Sequence, residues 1–217
     1  MSESWPWLAL ALLGAYHGLN PAMGWLFAVA LGLQERRRGA VLQALPPIAL
    51  GHAFAILVAV LIVGVAQILV PLDALRYICA GVLILFGLYK LIRRKHPRWV
   101  GMRVGFRDLT AWSFLMSMAH GAGLMLVPIL LRLSEPTQGT PDSGEHAAHV
   151  AQTGSATVLA DLTAVGLHTL AMFAVMGSVA VVVYEKLGLM ILKRTWFNVD
   201  LLWAGALVAA GVVTLFI

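Results

Sequence analysis

The sequence predicts an all-α membrane protein with six transmembrane helices, built as two inverted three-helix repeats in one transmembrane domain that spans residues 1–217. Of the 217 residues, 60% are hydrophobic and 12% are charged, whereas a soluble domain carries about 25% charged residues. Basic residues are concentrated in alternate loops, as they are at cytoplasmic membrane faces. Apolar segments of spanning length recur along the chain, at about 5–33, 39–70, 74–92, 110–132, 157–184 and 198–217.

The first two segments differ in how simply they predict a span. The first lacks the basic residues that open a secretory signal peptide, and its apolar run passes any cleavage point, so we expect a retained helix. The second is too long for a simple span and contains Pro46-Pro47. Because proline interrupts the helical hydrogen-bond ladder, we expect these prolines to separate a short interfacial piece from a span at about 48–70.

Residues 133–156 form the one long polar stretch of the chain. The stretch contains Pro, Gly, Ser and Thr and shows no apolar periodicity. Such composition is typical of loops that bury too little apolar surface to fold. We therefore predict a flexible extracytoplasmic loop between the fourth and fifth segments.

The distribution of basic residues predicts the orientation. Thirteen Lys and Arg residues lie around the loops that follow the first, third and fifth segments, whereas the other side holds two, Arg76 and Arg132. The richer side is expected to be cytoplasmic, which makes this a multi-pass protein of the inner (plasma) membrane with both termini extracytoplasmic. The net charge of +5 comes from these loops, so we assign it to anionic lipid and not to nucleic acid.

An internal repeat relates residues 5–92 to residues 110–217. The stretches 79–91 and 203–215 share five of 13 positions, among them two glycines and an alanine. Because each repeat has an odd number of helices, the second copy must be inverted in the membrane. Many secondary transporters have this construction, with the substrate site near the midplane between the repeats.

Four of the seven histidines fall within predicted spans, near mid-bilayer and at related places in the two repeats. Ionisable residues at that depth are costly and usually face the interior of the helix bundle. Neutral imidazole binds Ni, Co, Zn and Cu ions and also relays protons. We therefore predict a histidine-lined metal site formed by His17, His52, His120 and His168.

The residues after His17 fit such a site. Pro21 has no N–H, so the His17 carbonyl loses its helical partner and must find another in protein, water or an ion. Asn20 lies three residues on and shares a face with His17. Met23 follows nearly two turns after His17 and offers a thioether. We include Asn20 and Met23 among the candidate metal-binding residues.

The fifth segment adds a carboxylate and a second thioether. Asp161, His168 and Met172 are spaced so that all three lie on one helical face. Asp161 is nearer the outer mouth, where a carboxylate attracts cations, and we include it among the metal-binding candidates. Met172 is a candidate for the substrate pathway.

Two further pairs are weaker candidates. Met116 and Ser117 share a face with His120 and are candidates for the substrate pathway. His146 and His149 lie in the predicted outer loop, where they could capture a metal ion.

These residues resemble a known family. The stretch from His17 to His52, about 40 residues, is similar to the first two helices of NicO-type nickel/cobalt exporters of the lysine-exporter-like superfamily of six-helix transporters. Met23 stands where that family has its second histidine. The resemblance implies nickel or cobalt transport, and the residues that match the family pattern are His17, Asn20, Pro21, the basic turn Arg36–Arg38 and His52.

The sequence thus predicts a secondary transporter, not an enzyme, that moves Ni, Co, Zn or Cu as substrate and needs no resident cofactor. The chain has no nucleotide-binding P-loop. Three alternatives stay open: an exporter of a small organic solute, a bis-histidine haem protein, and a metal-dependent membrane hydrolase or hydroxylase.

Two further expectations concern covalent and quaternary structure. Cys79 is the single cysteine, so no intrachain disulfide can form. Besides the lipid bilayer and the metal ion or small solute, the expected partner is a second copy of the chain, packed on the Gly-rich third and sixth helices.

Overall fold

The protein is all-helical in the residues that its computed structural model describes, 5–92, 105–133, 146–187 and 199–216. A 3₁₀ turn covers Pro21–Met23, and a π-helical turn, Val183–Leu187, extends the seventh helix. Eight α-helices lie within these ranges, here numbered in chain order: α1 Trp5–Leu19, α2 Trp25–Glu35, α3 Arg38–Leu69, α4 Leu72–Ile92, α5 Phe106–His120, α6 Ala122–Leu133, α7 His146–Val182 and α8 Val199–Phe216.

Several of these helices are long and apolar enough to cross a membrane. Three stretches qualify singly, Arg38–Leu69, Asp73–Ile92 and Val158–Lys186. A fourth candidate is the pair Phe106–His120 and Ala122–Leu130, which is bent by 60°. Large apolar side chains on the outer faces of these helices are exposed, as expected of surfaces that face lipid. The prediction of an all-helical protein with several candidate spans is confirmed.

The first predicted span is broken and does not form one helix. α1 ends at Leu19, the side chain of Asn20 accepts the N–H of Ala22 to cap the 3₁₀ turn, and α2 begins after Gly24. Gly24 has a φ of 123°, a conformation that favours glycine. The carbonyl of His17, which loses its helical partner at Pro21, accepts the N–H of Asn20 at 3.1 Å. The partner that the sequence required is therefore supplied by the protein.

The fourth predicted span is also broken after a histidine. α5 ends at His120, and Gly121, with a φ of 70°, turns the chain into α6. Each break comes shortly after a histidine of the predicted metal site, His17 or His120. The breaks shorten α1 and α5 to 15 residues each.

The expected break at Pro46-Pro47 is wrong, because α3 continues through both prolines for 32 residues. The carbonyls that lose their N–H partners are those of Leu42 and Gln43, four residues earlier. Both residues are exposed and lie in the first two turns of α3, where water can hydrate the carbonyls. Burial of Pro47 and its apolar neighbours offsets the rest of the cost.

The predicted loop at 133–156 is partly wrong as well. α7 begins at His146, so the backbone of residues 146–156 is helical, and residues 134–145 lie outside the described residues. The sequence around the start of α7 contains Ala147, Ala148 and Ala151, and alanine has the highest helix propensity. This propensity outweighs the missing apolar periodicity on which the loop prediction rested.

The helices pack in three main pairs, α1 with α7, α3 with α5, and α4 with α8. In the first two pairs the contacting residue numbers rise together, so the helices run parallel: Gly14 lies against His168 and Gly18 against Met172. α4 and α8 run antiparallel. A side chain at Gly87 would meet the Ala204 carbonyl at 3.0 Å, and one at Gly211 would meet the Ala80 carbonyl at 3.0 Å.

Candidate metal centre

Three of the predicted histidines meet inside the protein. His17 lies in the last turn of α1, His52 in the middle of α3 and His168 in the middle of α7. None is more than 1% exposed. One ring nitrogen from each can be chosen so that all three nitrogens lie within 4.8 Å of one another. Three helices that are distant in sequence therefore bring three metal-binding side chains to one buried point.

The spacing of the rings approaches that of a metal site. The Nε2 atoms of His52 and His168 are 3.3 Å apart, and a tetrahedral ion with metal–nitrogen bonds of 2.0–2.1 Å separates its ligand atoms by about 3.3 Å. The His17 ring centroid is 5.3 Å from that of His52 and 4.8 Å from that of His168. If the His17 ring moved slightly toward this pair, ring nitrogens of the three histidines would occupy three vertices of a tetrahedron around an ion.

Glycines let α1 approach α7 and let α3 approach α5. A Cβ atom at Gly14 would collide with the carbonyl oxygen of His168, and one at Gly51 would collide with the carbonyl oxygen of Thr110. Gly14 lies one turn before His17, and Gly51 immediately precedes His52. Small residues at these contacts let the backbones approach and place the imidazoles within reach of one another.

Backbone carbonyls orient two of the rings. The Nδ1–H of His17 donates to the Leu13 carbonyl at 2.8 Å, and the Nδ1–H of His168 donates across to the Leu10 carbonyl at 3.3 Å. Because a carbonyl can only accept, Nδ1 carries the hydrogen in both neutral rings and Nε2 carries the lone pair. Both rings are thus held in the tautomer that binds metal through Nε2.

The third ring has a different partner. Nδ1 of His52 lies 2.9 Å from the hydroxyl oxygen of Ser117, which can donate or accept. In the described arrangement the Ser117 hydroxyl donates to Nδ1, and the Nε2–H of His52 donates to Nε2 of His168. To bind an ion through Nε2, His52 must take the other tautomer, in which its Nδ1–H donates to Ser117. The hydroxyl supports both states.

The fourth intramembrane histidine, His120, lies outside the three-histidine group. It is 2% exposed, and its Nδ1–H donates to the Met116 carbonyl at 2.8 Å, as His17 does to Leu13. Ser117, one turn before His120 on α5, lies with its hydroxyl 2.9 Å from the His52 ring. The structure therefore places His120 beside the centre.

The other candidates from the first helix have structural contacts. The Asn20 side chain is 3% exposed and caps the 3₁₀ turn. Met23 is 2% exposed and packs in an apolar cluster with Leu83, Met125 and Leu207. The structure therefore shows a capping contact for Asn20 and a packing contact for Met23.

The remaining candidates are dispersed. Asp161 is half-buried, seven residues before His168 on α7. Met172 is fully buried in an apolar cluster with Trp25 and Met176. Met116 contributes its carbonyl to His120, and Ser117 contacts His52. The proposed capture by His146 and His149 lies outside what is described, because only the backbone of those residues is described.

Sequence reasoning missed the groups that hold the ligands. These are the carbonyls of Leu10 and Leu13 and the glycines at the helix contacts. Gly14, one turn before a mid-span histidine, was a usable signal because a glycine inside a helix implies a close neighbour. The carbonyl of Leu10 carried no signal, since its role depends on the packing of α1 on α7.

The site has the chemistry of a nitrogen-only metal centre. The three side chains that could hold an ion are neutral imidazoles, and the group contains no carboxylate or thiolate. Such a set suits borderline divalent transition metals and is poor for Mg²⁺ or Ca²⁺, which prefer oxygen. Comparison with protein-family models, with curated proteins and with solved structures finds no significant match to this chain.

Proposed function

We propose that this protein is a multi-pass membrane carrier of a divalent transition-metal cation, which binds between His17, His52 and His168. The observation that carries the proposal is the convergence of three fully buried imidazoles from three helices, with nitrogens within 4.8 Å. Groups of this kind are costly to bury in an apolar helix bundle. Metal binding would compensate for that cost.

The proposed protein has six spans. α1 has 15 residues and is about 22 Å long, too short for a hydrocarbon core of about 30 Å. With α2 it would form one broken span, as α5 does with α6. α3, α4, α7 and α8 would supply the other four.

The inverted repeat has support in the packing. Residues 80 and 87 of the first repeat match residues 204 and 211 of the second. If each residue is replaced by its partner in the other repeat, the Gly87–Ala204 contact becomes the Gly211–Ala80 contact. In both contacts a Cβ atom on the glycine would lie 3.0 Å from the alanine carbonyl oxygen. The parallel pairs α1–α7 and α3–α5 exchange in the same way. Such reciprocity is expected of a two-fold relation in the membrane plane.

Transport would follow from movement of one repeat against the other around this site. The site lies where broken helices end, as in other inverted-repeat carriers. The ion and a proton compete for the same Nε2 lone pair, so protonation would promote release and could couple transport to a proton gradient. Nickel or cobalt is the substrate that the first-helix resemblance favours, and the ligand set also fits Zn and Cu.

The geometry disfavours the alternative of a haem held between His52 and His168. Their Nε2 atoms are 3.3 Å apart, and a flat macrocycle with an axial nitrogen on each face does not fit in that space. A hydrolytic centre would need a general base beside the ion. The three-histidine group contains no carboxylate that could serve as one.

Flux measurements in proteoliposomes test the proposal. Vesicles containing the protein and a metal-sensitive dye should take up Ni²⁺, Co²⁺ or Zn²⁺ faster than empty vesicles, and His52→Ala should abolish the difference. Ser113→Ala is the matched control, because Ser113 is also buried at the α3–α5 contact but donates to the Ile48 carbonyl. Equal flux for His52→Ala and the unchanged protein would contradict the proposal.

A further inference from the structure

We infer that the protein has a second set of metal ligands, in which His120 replaces His17 while His52 and His168 keep the ion. The inference rests on the proposed function. The described conformation has His17 in the three-histidine group and His120 just outside it. In the conformation that opens to the other side of the membrane, the two histidines would exchange roles.

His17 and His120 have the same local structure. Each lies in the last turn of a 15-residue helix, and each is followed by a break in the chain. In each ring Nδ1–H donates at 2.8 Å to the carbonyl four residues earlier, Leu13 or Met116. Both rings therefore present Nε2 with its lone pair and need no change of tautomer to bind an ion.

His52 and His168 have the geometry expected of the two ligands that keep the ion in both conformations. They occupy matching helices of the two repeats, α3 and α7, and their Nε2 atoms are 3.3 Å apart. Their rings are nearly parallel, with 13° between the planes. Equivalent residues that touch each other across a two-fold relation lie on its axis. An ion bound by this pair therefore stays near the axis when the repeats exchange conformations.

His120 is close enough to reach the pair. Ser117, whose hydroxyl is 2.9 Å from His52, lies one turn before His120 on the same face of α5. A shift of α5 and α6 relative to α3 would bring Nε2 of His120 to the position opposite His17. The same shift on the other repeat would withdraw His17.

A binding series with Co²⁺ tests this exchange. The full-length protein in detergent is titrated with Co²⁺, whose visible spectrum reports tetrahedral coordination, beside His17→Ala, His120→Ala and the double variant. His120→Ala alone should lower the affinity less than His17→Ala does, since the described conformation uses His17. His17→Ala should lower the affinity by at least about tenfold, the smallest loss expected when only a hydrogen-bond partner of a ligand is removed, yet retain one Co²⁺. The double variant should lose at least about a further tenfold, because the two changes act on one coupled site.

The outcomes separate the two proposals. Absence of Co²⁺ binding by the unchanged protein would overturn the proposed function and the exchange together. Binding that falls in His17→Ala and falls no further in the double variant would overturn the exchange alone. Ser113→Ala controls for general disturbance of the α3–α5 contact. If a histidine-to-alanine variant fails to fold, as judged by helical content and size-exclusion profile, the same series is run with glutamine at that position.

Discussion

Each of the four buried histidines makes a hydrogen bond through its Nδ1 atom, and the partner of that bond determines which tautomers the ring can adopt. Three of them, His17, His120 and His168, donate to backbone carbonyls, and His52 alone of the four faces a hydroxyl. A carbonyl fixes one tautomer, whereas a hydroxyl supports both. His52 is therefore the ring that can change from a hydrogen-bond donor toward His168 into a metal ligand.

Replacement of Ser117 by alanine should weaken metal binding. With an ion on Nε2, the Nδ1–H of His52 would be buried without an acceptor, and loss of such an outer partner lowers metal affinity by about 10–100-fold. Ser117→Thr keeps a hydroxyl and should restore most of the affinity. Competition with a chelating dye measures both. Ser113→Ala should bind as the unchanged protein does, and an equal loss in both alanine variants would indicate general disturbance of the α3–α5 contact.

The histidines could be predicted as site residues from the sequence, because ionisable residues are rare in apolar segments. The sequence did not predict which of them meet. The placement of His120 beside the group and of Met23 in an apolar cluster depends on where α1 and α5 break. Small differences in helix direction decide these positions, and periodicity within one helix does not report them.

At the scale of the element, glycine contacts determine how closely the helices approach. Gly14 lies against the His168 carbonyl and Gly51 against the Thr110 carbonyl, so the α1–α7 and α3–α5 contacts both depend on a missing side chain. Sequence periodicity predicted the apolar segments well. It failed at Pro46-Pro47, where helix continuity depends on burial and on hydration of the preceding carbonyls.

Gly14→Ala should separate α1 from α7 and impair the centre. Its Cβ would collide with the His168 carbonyl, and overpacking of this kind costs about 1–3 kcal/mol of stability. Gly166→Ala is the matched control on α7, two residues from His168, because a Cβ there meets nothing within 4 Å. Thermal unfolding in detergent and metal content check both variants. Equal midpoints for the two would show that the close contact at Gly14 is not important.

At the scale of the whole molecule, the packing agrees with alternating helix directions. The ion pair between Arg38 and Glu185, at 2.9 Å, joins the start of α3 to the π-helical turn after α7. That end carries the basic turn Arg36–Arg38, and the opposite end of α3 leads to Asp73. The positions of the basic residues predict that this end is cytoplasmic, because moving charge across lipid is costly.

Cysteine labelling in intact cells should report that orientation. In a Cys79→Ala background, Asp73→Cys should react with a membrane-impermeant maleimide from outside. Gln34→Cys, on the exposed end of α2, should react only after permeabilisation. Both residues are exposed and neither lies in the metal centre. The reverse pattern would overturn the assignment of the cytoplasmic side.

Elemental analysis of protein purified without chelator tests the central claim most directly. The three-histidine centre predicts about one transition-metal ion per chain in the unchanged protein after exposure to Ni²⁺, Co²⁺ or Zn²⁺. His52→Ala should hold none, and Ser113→Ala should hold as much as the unchanged protein. Metal-free unchanged protein, or the same metal content in His52→Ala, would contradict the account.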